Sequence, residues 1–192
     1  MISAVILAAG PTADQNLFSR VHHKPLLQWV LESALASDLN EIVCVTRDLA
    51  AVRREIRVSD RRLCWFANAA ADRGQSSSVI AGLWASHPQS DGIMFLDGER
   101  MPAHKDLINL LIARFEQSAA LIVAPGSAGR VGSPALFRRD LFPELLKLTG
   151  NRSERSLLEH HAEKIALVEW QEEFLPPEVI DSENRARLKN SI

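Results

Sequence analysis

The 192-residue chain has two cysteines, almost no excess charge and no long apolar run. Its net charge is −2, with basic and acidic residues interleaved, and this argues against a nucleic-acid binder that concentrates basic charge on one face. No stretch approaches the roughly 18 apolar residues that a membrane span needs. The first apolar run is too short for a signal peptide and lacks a preceding basic region. We therefore expect a cytoplasmic protein that binds neither nucleic acid nor membranes.

The cysteines and the paired histidines do not have the spacing of a metal site. Cys44 and Cys64 both fall in apolar, strand-like segments, which predicts two core thiols rather than a disulfide or a metal pair. The pairs His22-His23 and His160-His161 are adjacent, so their side chains should diverge along a helix or a strand, and no third ligand has metal spacing. We predict solvated histidines at these four positions.

Strand-like and helix-like segments alternate along the chain. Apolar, strand-like segments are found at 1–10, 41–46, 62–67, 92–96, 119–124 and 164–170. Helical patterns are found at 25–37, 49–58, 77–86, 105–117, 139–148, 156–161 and 182–190. This alternation predicts βαβ units and an α/β fold with a doubly wound, mostly parallel sheet and helices on both faces. The length and the lack of a linker predict one domain over residues 1–192.

In open parallel sheets, ligands bind beyond the carboxyl ends of the strands, where three predicted loops converge. The first loop follows Gly10, where the backbone can approach an anion. The second has Gly74 and the hydroxyls of 76–78 at a helix start, and the third has Asp97 and Glu99. This arrangement suggests a nucleotide phosphate with a divalent metal, because oxygen ligands suit Mg²⁺. The residues are equally compatible with serines that only cap a helix and carboxylates that are solvated.

Seven short motifs are spread along nearly the whole chain. They are VILAAG at 5–10, KPLL at 24–27, Asn68 with GQSSS at 74–78, AGL at 81–83, GRVGSPALF at 129–137, GNRSERSLL at 150–158 and ID at 180–181. In this order they resemble the MobA-like NTP transferases, the family that includes the cytidylyl- and guanylyltransferases of molybdopterin. The resemblance implies a Rossmann-like fold of the nucleotide-diphospho-sugar-transferase type.

The same resemblance implies an activity. It is the Mg²⁺-dependent transfer of a nucleoside monophosphate from an NTP to a phosphorylated acceptor such as molybdopterin, with release of pyrophosphate. The LAAG form of the first motif is more usual on the cytidylyl side of the family, which favours CTP over GTP as the donor. The sequence leaves monomer and homodimer open.

Carried onto this sequence, the resemblance implies three sets of site residues. Nucleotide contacts are expected at Leu7, Ala8, Ala9, Gly10, Thr12, Asn68, Gly74 and Ser77. Metal ligands are expected at Glu99, Asp97 and Asp181. The nearby cations that could serve the phosphates, and so take the catalytic role, are Lys24 and Arg20.

The phosphate loop and the metal motif depart from the family pattern. Asp14 stands where the family has Arg, Ser19 stands where it has Lys, and Glu99 aligns with its metal-binding Asp. Two hypotheses therefore stay open. The chain is an active nucleotidyltransferase with a divergent phosphate loop, or it is a non-catalytic relative that binds a nucleotide or pterin-type ligand or acts as an interaction subunit. A dinucleotide-dependent dehydrogenase is disfavoured, because the first loop lacks G-x-G-x-x-G.

Overall fold

The computed structural model describes residues 1–10, 16–100, 102–127 and 130–170. Its strands in chain order are β1 (Ile2–Ala8), β2 (Arg20–Val21), β3 (Lys24–Pro25), β4 (Glu41–Thr46), β5 (Leu63–Ala67), β6 (Gly92–Asp97), β7 (Ile122–Ser127), β8 (Arg130–Val131), β9 (Ala135–Arg138) and β10 (Ile165–Glu169). Strands β2 and β3 form a separate small hairpin, and the other eight form one sheet.

The sheet is mostly parallel, as the alternation of elements predicts. Its strand order is β10-β7-β9-β6-β1-β4-β5. The short strand β8 pairs with β7 but is not part of this order. Strand β1 is parallel to both neighbours, β4 and β6, and β4 is parallel to β5. Strand β9 runs antiparallel between β6 and β7, which is a feature that the motif pattern does not indicate.

Helices cover both faces of the sheet. They are α1 (Leu26–Leu35), α2 (Leu49–Glu55), α3 (Gln75–Ala85), α4 (Lys105–Glu116), α5 (Phe142–Leu145) and α6 (Arg155–His160), with 3₁₀ turns at Ala71–Arg73, Arg139–Leu141 and Ala162–Lys164. The apolar faces of α1 and α4 pack in one core cluster, and those of α3, α5 and α6 pack in the other. None of the helices described is long and apolar enough to cross a membrane.

Strand β1 lies at the centre because its side chains are buried on both faces. Ile2, Ala4 and Ile6 belong to the cluster under α1 and α4, whereas Val5 belongs to the cluster under α3. Successive strand residues point to opposite faces, so a continuous apolar run suits only a strand covered on both sides. The fold therefore places the end of β1, with Gly10 just beyond it, in the middle of one sheet edge.

Two local predictions are wrong. Cys44 is buried, but Cys64 is exposed, because β5 is the last strand of the sheet and has a neighbour on one side only. The helix predicted over 139–148 is a 3₁₀ turn at Arg139–Leu141 followed by the four-residue α5. Proline is tolerated only in the first turn of a helix, and Pro143 accordingly lies at the start of α5.

Candidate functional site

The carboxyl ends of β1, β4, β5 and β6 lie side by side, because these four strands run in the same direction. This is the edge at which open α/β sheets bind ligands. The chain segments that begin at Gly10, Asn68 and Asp97 all start there. The structure therefore brings together the three loops that the sequence analysis assigns to the ligand.

The end of β1 is packed tightly against the chain that leaves β6. The backbone N–H of Gly98 donates a hydrogen bond to the carbonyl oxygen of Leu7 at 2.9 Å. A Cβ at Gly98 would lie 2.9 Å from the carbonyl oxygen of Leu7, closer than Cβ atoms normally approach backbone, so this contact favours glycine. Ala8 and Ala9 are buried, so the end of β1 is part of the core.

The carboxylate of Glu99 lies directly against Gly10. A Cβ at Gly10 would overlap Oε1 of Glu99, so the carboxylate occupies the space that a side chain would need. The amide of Asn16 donates a hydrogen bond to Glu99 Oε2 at 3.1 Å. Glu99, one of the two predicted metal ligands at the exit of β6, therefore lies where the first loop begins.

The carboxylate of Asp97 turns the chain that carries Glu99. Its Oδ1 accepts a hydrogen bond from the backbone N–H of Glu99 at 2.9 Å, which is a turn that aspartate side chains commonly form. Its Oδ2 pairs with Nε of Arg100 at 3.1 Å. This turn fixes the position of the Glu99 backbone relative to the end of β6. Two carboxylates therefore lie within three residues of chain at this point.

A network of side-chain hydrogen bonds organises the start of α3. Nδ2 of the buried Asn68 donates to Oγ of Ser77 at 3.0 Å and to Oγ of Ser78 at 3.1 Å. Oδ1 of Asn68 accepts from the backbone N–H of Ala70 at 3.0 Å. Gly74 precedes the helix with φ at +103°, a conformation that L side chains rarely adopt. Asn68, Gly74 and Ser77, three of the predicted nucleotide contacts, therefore form one unit.

The loop before α6 packs on this unit. The carbonyl oxygen of Gly150 accepts hydrogen bonds from the backbone N–H of Ser76 at 3.1 Å and from its Oγ at 2.8 Å. A Cβ at Gly74 would lie 2.6 Å from the carbonyl carbon of Gly150. The sequence shows the motif at 150–158, but only the fold shows that it contacts the start of α3.

Glu154 is a third carboxylate of this region, and sequence reasoning missed it. The residue is 8% exposed, and its Oε2 is buried without a hydrogen-bond partner among the described residues. Burial raises the pKa of Glu154, and the negative charge of Asp97 raises it further, so the two carboxyl groups lie within electrostatic range. Burial of a charged residue cannot be inferred from local sequence, since helical periodicity places most glutamates on solvent-facing surfaces.

The two predicted catalytic cations lie on the β2–β3 hairpin and already have partners. Nζ of Lys24 donates to Oε2 of Glu32 at 2.6 Å and lies 3.8 Å from the centre of the Trp29 ring. Arg20 donates to the carbonyl oxygen of His23 at 2.7 Å and pairs with Glu55 at 3.6 Å. Both cations line a cleft with Arg54 and Arg57. To reach a phosphate, each would have to leave a carboxylate.

The remaining predictions concern residues outside the described ranges or the histidines. Thr12 and Asp181 lie outside the described residues. The prediction that His160 and His161 diverge with no third ligand at metal spacing is wrong, because a ligand atom of Glu144 lies within 4.8 Å of one on each histidine. The physical reason is that α6 ends at His160, so His161 does not follow the helical rotation.

Several solved structures share this fold over essentially the whole chain. A homolog of Mycobacterium tuberculosis rv0371c from Mycobacterium sp. strain JC1 has a TM-score of 0.77 at 20% identity, covering 99% of this chain and 96% of that chain. Rv0371C of Mycobacterium tuberculosis H37Rv, in complex with manganese, has a TM-score of 0.73 at 22% identity, covering 100% and 99%. The 4-diphosphocytidyl-2C-methyl-D-erythritol synthase of Anaerococcus prevotii DSM 20548 has a TM-score of 0.72 at 20% identity, covering 98% and 96%. At these identities the likeness shows the fold.

At the level of sequence, no curated protein matches this chain. The family model described as the MobA-like NTP transferase domain matches residues 4–165. That range contains the end of β1, the start of α3, the exit of β6 and the loop before α6, which are the four segments that meet at the sheet edge. The chain therefore belongs to the family of MobA-like NTP transferase domains.

Proposed function

We propose that this chain is a nucleotidyltransferase that transfers a nucleoside monophosphate from an NTP to a phosphorylated acceptor such as molybdopterin. CTP is the favoured donor and GTP the second choice. The observation that carries the proposal is the Glu99 carboxylate against Gly10 at the carboxyl edge of the sheet. A phosphate bound over Gly10 would be repelled by this carboxylate unless both groups share a cation. We further propose that the domain comprises residues 1–192, works in the cytoplasm and is a monomer or homodimer.

The carboxylates at this sheet edge have the chemistry of divalent-cation ligands, but they would have to draw together around the ion, because among the described residues the one group of three potential ligands already close together is Glu144, His160 and His161. Asp97, Glu99 and Glu154 supply carboxylate oxygens, the hard donors that Mg²⁺ and Mn²⁺ prefer, and Oε2 of Glu154 has no protein partner among the described residues. We propose that these residues, with Asp181, hold Mg²⁺. When bound, the ion would neutralise the charge that develops on the leaving pyrophosphate.

The proposed reaction is an in-line displacement at phosphorus. An oxygen of the acceptor phosphate attacks the α-phosphorus of the NTP, the bond from that phosphorus to its bridging oxygen breaks, and pyrophosphate leaves. The chain contributes positioning and charge, because phosphoryl-type transfer needs little covalent help from the protein. We propose that the backbone of 7–10, with Thr12, binds the phosphates, and that the unit of Asn68, Gly74 and Ser77 binds the nucleoside.

The two cations set the condition under which this site is active. We propose that Arg20 and Lys24 exchange Glu55 and Glu32 for the triphosphate when the nucleotide binds. If they stay paired as described, these two side chains do not neutralise the phosphates. That observation favours the second candidate function, a non-catalytic relative that binds a nucleotide or pterin-type ligand or serves as an interaction subunit.

Calorimetric titration separates the two functions. CTP, GTP and ATP are titrated into the chain with and without Mg²⁺, and the same titrations are made with Glu99→Gln. Glu116→Gln is a matched control, because Glu116 is an exposed glutamate at the end of α4. We expect Mg²⁺-dependent binding of one nucleotide that is lost in Glu99→Gln and kept in Glu116→Gln.

Pyrophosphate release then decides whether turnover follows binding. Release from the bound nucleotide with molybdopterin as acceptor would support the transferase. Nucleotide binding without pyrophosphate release, whichever phosphorylated acceptor is supplied, would favour the non-catalytic relative. If no nucleotide binds at millimolar concentration, the proposed function is wrong.

A further inference from the structure

A second group of potential metal ligands uses none of the residues assigned above. Glu144 lies on α5, His160 is the last residue of α6, and His161 follows directly. One ligand atom from each of these three residues lies within 4.8 Å of the other two. This spacing allows a single ion to contact all three side chains.

The end of α6 is what makes two adjacent histidines usable together. His161 has φ −113° and ψ 28°, which is not helical, so its ring does not take the next position around the helix. The two rings are perpendicular, with centroids 4.9 Å apart. Nε2 of His161 lies 2.8 Å from Oε2 of Glu144.

The backbone on both sides of the histidines is fixed by hydrogen bonds. The N–H of His161 donates to the carbonyl oxygen of Leu157 at 2.9 Å, and the N–H of Lys164 donates to the carbonyl oxygen of His161 at 2.8 Å. The His161 side chain is 10% exposed, whereas Glu144 and His160 are open to solvent. Solvent can therefore supply an ion to side chains beside a backbone that hydrogen bonds hold in place.

We propose that Glu144, His160 and His161 form a site for a transition-metal dication of the Zn²⁺ type, distinct from the ion of the nucleotide site. Two imidazole nitrogens and one carboxylate are a donor set that favours Zn²⁺, Ni²⁺ or Cu²⁺ over Mg²⁺. Water would complete the coordination. The proposal does not depend on nucleotidyl transfer.

The position of the site in the chain gives it a structural consequence. Glu144 and His160 flank a segment that contains Gly150 and Glu154. Gly150 accepts both hydrogen bonds of Ser76 at the start of α3. An ion bound to both flanks would hold the ends of this segment together, and so restrain the loop that packs on the candidate nucleotide site.

The test measures Zn²⁺ binding to the full chain after metal removal. Zn²⁺ is added in competition with a chromophoric chelator, in the presence of excess Mg²⁺ so that the carboxylates at the sheet edge are occupied. The variants are His160→Gln/His161→Gln and Glu144→Gln. The matched control is His22→Gln/His23→Gln, which also removes two adjacent histidines. We expect one tight Zn²⁺ per chain, weakened roughly tenfold or more in both site variants and unchanged in the control.

Hydrogen exchange provides a second readout on the wild type and the variants. We expect added Zn²⁺ to slow amide exchange in segment 145–161 of the wild type and of the His22→Gln/His23→Gln control, and to leave it unchanged in Glu144→Gln. Because Glu144 is exposed, its substitution keeps the fold even if the histidine variant does not. The proposal is overturned if the wild type binds no Zn²⁺, if the site variants bind it as tightly, or if the control loses binding equally. A failure of nucleotide binding in the same preparation would count against the proposed function alone.

Discussion

Replacing Gly74 by alanine should be unusually damaging for a single methyl group. Gly74 has φ at +103° and ψ at 175°, a region essentially restricted to glycine, and this strain costs about 1–3 kcal/mol. The new Cβ would also lie 2.6 Å from the carbonyl carbon of Gly150 and 2.7 Å from Oδ1 of Asn151. Moving Gly150 away breaks two hydrogen bonds from Ser76, each worth about 1 kcal/mol. We expect the free energy of unfolding to fall by about 3–5 kcal/mol.

Gly150→Ala is the matched control for this substitution. Gly150 also has a positive φ, +61°, but a Cβ there would meet nothing within 4 Å. Only the left-handed conformation is then penalised, by about 1–2 kcal/mol. Urea unfolding of both variants measures the difference, provided that the denaturant slope is unchanged. If Gly74→Ala loses no more stability than Gly150→Ala, the close packing of the loop on α3 is wrong.

Two further predictions follow from buried ionisable groups. Burial raises the pKa of Glu154 above its ordinary value of 4.5, so ionisation of this carboxyl group opposes folding. The free energy of unfolding therefore falls as the pH rises above 4.5. In urea unfolding, Glu154→Gln should therefore gain stability relative to the wild type as the pH is raised above 4.5, and a pH-independent difference would contradict this. Burial also raises the pKa of the Cys44 thiol, whereas Cys64 is exposed. A thiol reagent should modify one cysteine in the native chain and two in urea, and reaction of both in the native state would refute the assigned burial.

Much of the sheet could be predicted from the sequence, because a strand that is buried on both faces is a short continuous apolar run. The run at 41–46 matches the observed Glu41–Thr46, and the helix predicted over 105–117 is found as Lys105–Glu116. The helix predicted over 139–148 fails, because the apolar pattern there continues beyond the short turn at Pro143. The prediction that Cys64 is buried is wrong, because the sequence of an apolar strand does not reveal that the strand lies at the edge of a sheet.

Some features of the candidate site could be predicted from the sequence, and others depend on tertiary packing. Parallel topology alone places Gly10 and Asp97 at one sheet edge, so their proximity could be predicted from strand order. The pairing of Lys24 with Glu32 could not be predicted in this way, because it forms only where α1 and the hairpin pack against each other. The burial of Glu154 is of the same kind.

The sequence by itself determined most of the longer strands and helices, which family the chain resembles and which edge of the sheet carries the ligand loops. The reason is that hydrophobic periodicity and short motifs are local properties of the chain. Only the tertiary structure decided that the Glu99 carboxylate lies against Gly10, that Gly150 lies against Gly74, and that Glu144 joins His161. These contacts join residues far apart in the sequence, and they depend on the packing of whole elements against one another.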